Sequence, residues 1–429
     1  MRHLTDAVAP AELTVDDVEF KSLYRKTEYE AQTSDGWTLV VTRYQPVPRP
    51  FFQPIFGEPL LLVHGFCQNR HAWTSGQFVK NLLFFGADIH ILELRGHGKS
   101  SRELQLRRSQ AAGLPPPADL DYAWDIDSYF LHDLPAAVGA VKAVTGRERI
   151  FFCGHSMGGM IGYGYAGLHD DFEGIVTIGA SSEMGKGFPL LRLIAAAEPF
   201  LGGAIDGGLA AGNVARQASH VLTGFAGRSL RRTGLHALAD RVGPASLPPT
   251  PYSFRYLPTD DLVRWVESAF TTGRYSTFRE ITAFLTILAN PSRATSDDVR
   301  WLMRHGVERE PRGVVTQFAR WIRRRDLVCY RTGYDFKSGF GNITVPMAII
   351  FGDLDKLASM KSTAGIYRRA RSEYLLWRPV KGNSHVELTM GHDIRQICYD
   401  IKNLIDFARK HRGRRPSLPR LEGDASPRR

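Results

Sequence analysis

The chain is poor in cysteine. Four occur in 429 residues, at positions 67, 153, 329 and 398. None forms a C-x-x-C pair and none has histidines at zinc-finger spacing, which excludes a zinc-ribbon module and a disulfide-stapled scaffold. Three lie in apolar runs, as buried thiols in a reducing compartment do, so a cytoplasmic setting is expected. Long hydrophobic runs are also missing. The nearest, "FPLLRLIAAAEPFLGGAI", is interrupted by Arg192, Glu198 and Pro199 and does not read as a membrane span. The first twenty residues carry Asp6 and no continuous apolar stretch, so they do not read as a secretory signal.

What is present is ordinary for a globular protein: 43% hydrophobic and 23% charged residues, enough for a sizeable core without staples. The formal net charge of +11 points to nucleic acid until its distribution is read. Residues 409–429 hold eight Lys/Arg against two Asp/Glu, or +6, which leaves +5 for the other 408 residues. That tail has three prolines and few apolar residues, and a disordered, solvated segment is expected over 411–429. It is expected to give at most weak peripheral contact with an anionic membrane. Nucleic-acid binding is not expected.

The pattern along the chain is strands alternating with helices. "KTEYEAQTSDGWTLVVTRYQP" reads as two strands joined at Ser34-Asp35-Gly36. "EPLLLVHGF", "ADIHILELRGHGKS", "RIFFCGHS", "EGIVTIGASS", "VPMAIIFGDLD" and "SEYLLWRPV" follow, the first of them a continuous apolar run such as a strand buried on both faces presents. Ile394, Ile397, Cys398, Ile401, Leu404, Ile405 and Ala408 fall on one face of a closing helix. A mainly parallel α/β sheet flanked by helices is predicted, with ligand sites at the carboxyl ends of its strands. The alternation lapses once, between the fourth parallel strand and the fifth. There "TDDLVRWVESAF", "TFREITAFLTILA", "SDDVRWLMRHG" and "GVVTQFARWIRR" predict a helical cap over 183–344. A separate docked helical domain is the plainer alternative. The remaining divisions are an extension over 1–21 and a core over 22–182 and 345–410.

Gly154-His155-Ser156-Met157-Gly158 has the G-x-S-x-G form of a nucleophile elbow. A sharp strand-to-helix turn brings the positions two before and two after the serine close to other backbone, so both must be small, as Gly154 and Gly158 are. An ordinary strand-helix turn would explain the glycines but not the serine. Serine needs a base, and the base needs an orienting acid. In this architecture the acid and then the base follow the serine in the chain. "FGDLDKLAS" offers Asp353 and Asp355, with Asp355 preferred because it lies further into the turn. Glu93 is a remote third choice because it precedes the serine. "VKGNSHVELTMGHDIRQ" offers His385, in the loop after the last strand, ahead of His392 at the start of the final helix. His155, His64 and His97 are read as structural. Oxyanion donors are expected from the Met157 amide and from the loop after "LLLVHG", most simply Phe66, with Cys67 as the alternative.

These segments resemble the α/β-hydrolase superfamily, from about residue 22 to about 410. His-Gly-Phe, Arg-Gly-His-Gly-x-Ser, Gly-His-Ser-Met-Gly-Gly and Gly-x-x-Asp with a late histidine stand in the superfamily's order. The chain looks most like its acid-lipase and esterase branch. "TSDGWTLVVTRYQP" is similar to the entry hairpin of that branch, and "HDLPAAVGAVKAVTG" to the segment before its elbow strand. "PRGVVTQFARW" resembles the end of its cap, and "NSHVELTMG" its histidine loop. The resemblance implies a triad of Ser156, Asp355 and His385, with Phe66 and Met157 as the oxyanion hole. That branch usually has Arg-Gly-Asn where this chain has Arg-Gly-His-Gly, and its well-known members are secreted or lysosomal. An intracellular esterase acting on a lipophilic small-molecule ester is therefore expected, with no metal or organic cofactor. Acyl transfer or thioester hydrolysis through the same residues is the alternative. Polyester synthesis would ask for cysteine at the elbow, and epoxide or halide chemistry for aspartate. A non-catalytic binding module on the same scaffold is the alternative of another class.

Overall fold

A computed structural model describes residues 13–196, 232, 256–257, 259 and 288–412. Two strands, β1 (Tyr24–Gln32) and β2 (Thr38–Pro46), form an antiparallel hairpin. Its turn is closed by Thr33, whose Oγ1 accepts from the Trp37 amide and donates to Asp35. Gly36 sits there at φ +93°, a conformation that favours glycine. The chain continues through β3 (Pro59–Val63), β4 (Asp88–Glu93), β5 (Ile150–His155), β6 (Phe172–Ile178), a two-residue pair β7 (Tyr256–Leu257) and β8 (Glu310–Pro311), then β9 (Met347–Gly352) and β10 (Leu375–Val380). The main sheet has the order β1-β2-β4-β3-β5-β6-β9-β10. From β4 to β10 every neighbour is parallel, and only the β1–β2 and β2–β4 pairings are antiparallel.

Strands β3, β4, β5, β6 and β9 are buried along their whole length. Parallel strands covered on both faces have no side for water, and the apolar runs follow from that. Alternate residues serve opposite layers. Leu61, Val63 and Phe152 join a core with α3 (Leu134–Thr145) and α4 (Met157–Ala166). Leu60, Leu62, Phe151 and Cys153 join the opposite core with α1 (Phe78–Phe84) and α8 (Ile394–Lys410), while α2 (Arg102–Ala112) follows β4 and α7 (Met360–Arg369) follows β9. All seven positions read as the apolar face of the last helix are buried.

Strand β3 lies between β4 and β5, so the order reverses there. The loops leaving β3 and β5 therefore open beside each other, where open α/β sheets place their ligands. Between β6 and β9 the described residues lie outside the main sheet. The described part of that stretch includes α5 (Ser296–His305) and α6 (Arg312–Arg324), which turns Val314, Gln317, Ala319, Trp321 and Ile322 inward. The segments 260–270 and 277–287, and the tail from residue 413, lie outside the described residues. Among the described residues no helix is long and apolar enough to cross a membrane.

Candidate active site

Strand β5 stops at His155, and Ser156 turns the chain into α4 with φ 52° and ψ −118°. A non-glycine residue held there is strained, and such strain persists only where the surroundings impose it. They do so here through two glycines. A Cβ on Gly154 would lie 2.5 Å from the Gly159 nitrogen, and one on Gly158 would lie 2.5 Å from the Val63 carbonyl oxygen. The elbow is thus pressed between its own helix and the end of β3. The Ser156 amide donates to the Ile178 carbonyl at 2.8 Å, which ties the turn to β6.

His385 reaches this serine from the loop after β10. Its Nε2 is 2.9 Å from Ser156 Oγ, and its Nδ1 is 2.8 Å from Asp355 Oδ2. Asp355 follows β9 and is buried. Its other oxygen, Oδ1, accepts from the amides of Leu357 and Ala358 at 2.8 and 2.9 Å. The carboxylate is therefore fixed before it meets the imidazole. Burial alone would lower the His385 pKa, but the Asp355 charge and hydrogen bond outweigh it and raise the value above the ordinary one. With Nδ1–H donated to Asp355, Nε2 is the lone pair that can take a proton from the serine hydroxyl.

The other candidates stand apart. Asp353 is exposed, and its Oδ1 accepts from the Gly382 amide at 2.7 Å. His392 is exposed ahead of α8. Glu93 is buried against Arg70 at 2.9 Å and accepts from the Lys99 amide. His64 Nε2 accepts from the Leu94 amide, joining the ends of β3 and β4. His155 is kept neutral by burial, its pKa lowered to about 3, and its Nδ1 lies 2.9 Å from Gln68 Oε1. Among the described residues no group of three or more His, Cys, Asp or Glu could hold a metal ion.

The loop after β3 lies against the serine, since a Cβ on Gly65 would be 2.9 Å from Ser156 Cβ. Its amides are not equivalent. Gly65 donates to Gln68 Oε1 at 3.0 Å and Cys67 to Glu310 Oε2 at 2.6 Å. The Phe66 amide, between them, meets no acceptor among the described residues. Met157 opens α4, where the first-turn amides have no partner within the helix. Of the preferred Phe66 amide and the alternative Cys67 amide, that of Cys67 is thus already engaged. Gln68 and Glu310 were not anticipated. Gln68 lies three residues past the His-Gly turn, close enough for a local pattern to mark it. Glu310 is 243 residues from Cys67, and no local pattern marks it.

The chain also ties both loops to the stretch before β9. The amides of His385 and Val386 donate to the Leu288 carbonyl at 3.1 and 2.9 Å, and the Asn290 amide donates to Glu387. On the other loop, the Glu308 amide donates to the Cys67 carbonyl and the Asn69 amide to Gly306.

Comparison with known proteins places the chain in a family. Two human proteins are similar: lipase member M, 29% identical over 167 residues, and lysosomal acid lipase/cholesteryl ester hydrolase, 28% identical over 141 residues. The matched stretches cover 37% of both chains in the first case, and 32% of this chain and 33% of the relative in the second. The chain thus matches about a third of the length of these relatives. Among solved structures, a monoacylglycerol lipase of Paleococcus ferrophilus aligns with a TM-score of 0.46 and 12% identity, covering 90% of this chain and 99% of that one. The family described as alpha/beta hydrolase fold matches residues 58–385, more than half of the chain. On that match, and with the parallel sheet already described, the chain belongs to the α/β-hydrolase family.

Proposed function

We propose that the protein is a serine carboxylic-ester hydrolase. The observation that carries this reading is the unbroken line of hydrogen bonds from Asp355 through His385 to Ser156. Ser156 Oγ attacks the acyl carbon while His385 Nε2 takes its proton. The amides of Phe66 and Met157 hold the oxyanion of the tetrahedral intermediate. On collapse, His385 returns the proton to the departing alcohol and the acyl group stays on Ser156. Water then attacks the acyl-serine, again with His385 as base. The similarity to lipases supports an ester substrate. A lipophilic group on it suits the half-buried side chains of Phe66, Phe318 and Met184, which pack on the core that holds Met157. We read the insert over 183–344 as a cap on this site. We also read the cytoplasm as its compartment, a reading supported by four buried cysteines, none in a disulfide. The basic tail is read as giving at most weak contact with an anionic membrane.

A fluorophosphonate probe and a p-nitrophenyl ester series from acetate to palmitate test the reading together. Folded wild-type protein should be labelled covalently and should cleave the series, with the longer chains favoured. Absence of both labelling and turnover would sink it.

The histidine sets a pH dependence. It must be neutral to act as base, and its folded pKa lies above the ordinary 6.5. The profile of kcat/KM should therefore lose activity on the acid side through an apparent pKa above 6.5. An acid limb at or below 6.5 would contradict the coupling to Asp355.

A further inference from the structure

Glu310 has no exposed surface, yet it carries a carboxylate and belongs to the stretch between β6 and β9 rather than to the core. Burying such a group is costly unless every oxygen is used. Oε1 accepts from the Tyr129 hydroxyl at 2.8 Å, and that hydroxyl in turn accepts from Trp124 Nε1. Oε2 accepts from the Cys67 amide at 2.6 Å and faces His97 Nε2 at 3.4 Å. His97 belongs to the Arg-Gly-His-Gly turn, and its Nδ1 is held by the Arg95 carbonyl at 2.9 Å. Burial would strip His97 of its charge, but the Glu310 carboxylate and its hydrogen bond, with help from Glu308, push the pKa up to about 9.

The position of this carboxylate is informative. Cys67 is a non-glycine residue at φ +57°, a conformation that must be held. It is held from both ends by one strand of chain, because Glu310 takes its N–H and the Glu308 amide binds its carbonyl at 2.9 Å. The peptide joining Phe66 to Cys67 is thereby fixed, and the Phe66 N–H belongs to the peptide before it, which starts at Gly65, where a Cβ would lie 2.9 Å from Ser156 Cβ.

We propose that Glu310 is a positioning residue for the oxyanion hole: its carboxylate fixes the peptide that follows Phe66 and so anchors the adjoining Gly65–Phe66 peptide, whose N–H faces the acyl oxygen. The proposal rests on the ester-hydrolase reading. It separates reach from charge. Gln at 310 keeps an acceptor at full reach and loses the charge, whereas Asp keeps the charge and withdraws it by one methylene.

The test is steady-state hydrolysis of p-nitrophenyl butyrate and inhibition by butylboronic acid, whose serine adduct puts an oxygen in the oxyanion hole. Losing an oxyanion donor outright costs about 10²–10³, so misdirecting one in Glu310→Ala and Glu310→Asp should lower kcat by roughly 10–100-fold. KM should stay within about twofold, and the boronate Ki should rise in step with the fall in kcat. Glu310→Gln should keep kcat within about fivefold of wild type. If Glu310→Ala does not fold, the order of Gln above Asp decides. Three results would overturn the proposal: Asp equal to or better than Gln, a folded Ala variant with wild-type kcat, or a change confined to KM. A wild-type protein that neither cleaves the ester nor binds the boronate would overturn the hydrolase reading as well.

Discussion

Ser156→Ala should lower kcat for p-nitrophenyl butyrate by about 10⁶-fold, the scale seen when a triad nucleophile is removed. The substitution takes away one oxygen and little else. Alanine keeps the Cβ, so the strained turn at φ 52° and its packing against Gly154 and Gly158 are unchanged. The amides of Phe66 and Met157 remain, and so does the His385–Asp355 pair. The variant should therefore melt within a few degrees of wild type and bind ester without forming an acyl-enzyme. Fluorophosphonate labelling should vanish with turnover. A kcat within tenfold of wild type would mean that another group, or water, performs the attack.

Asp355→Asn should cost about 10⁴ in kcat, because it puts the proton on the wrong ring nitrogen. Two amides, from Leu357 and Ala358, donate to Oδ1, so an asparagine must turn its carbonyl oxygen to that side. Its NH₂ then occupies the place of Oδ2 and donates to His385 Nδ1. The imidazole is forced to carry its proton on Nε2, where it cannot receive one from the serine. The same change should also draw the acid limb of the pH profile downward, since the charge that raises the histidine is gone. Asp353→Asn is the matched control. That residue is exposed and binds the Gly382 amide, so kcat should stay within about twofold. Equal losses in the two variants would remove Asp355 from its role.

These two residues also mark how far the sequence could be read. The elbow is legible because its constraints are local. A strand, a serine and two glycines within five residues describe one turn, and the backbone contacts at Gly154 and Gly158 account for both glycines. The buried parallel strands are legible for the same reason, since an uninterrupted apolar run needs no partner to be recognised. The preference for Asp355 over Asp353 came from position in a turn. What separates them physically is the pair of amides at Oδ1 and the burial they permit. Phe66 is preferred over Cys67 in the sequence only by its place in the loop. What separates the two amides physically is Glu310, which engages that of Cys67 across 243 residues of chain. The same holds for His97, whose partner cannot be named until the strands are assembled. Long-range polar pairing leaves no periodicity behind, and a carboxylate that will be buried looks in sequence like one that will be solvated.

The stretch from Leu288 to Pro311 touches the His385 loop at one end and the loop after β3 at the other. This sets a boundary for recombination. Segments that shape what enters an active site are the natural units to exchange between homologous enzymes when a new specificity is sought. On the proposed reading of the insert as a cap, such an exchange has to be spliced before Leu288. A graft that carried residues 288–311 along with it would replace both docking points, and the recipient would have to re-form the hydrogen bonds that hold the His385 loop and the Cys67 peptide.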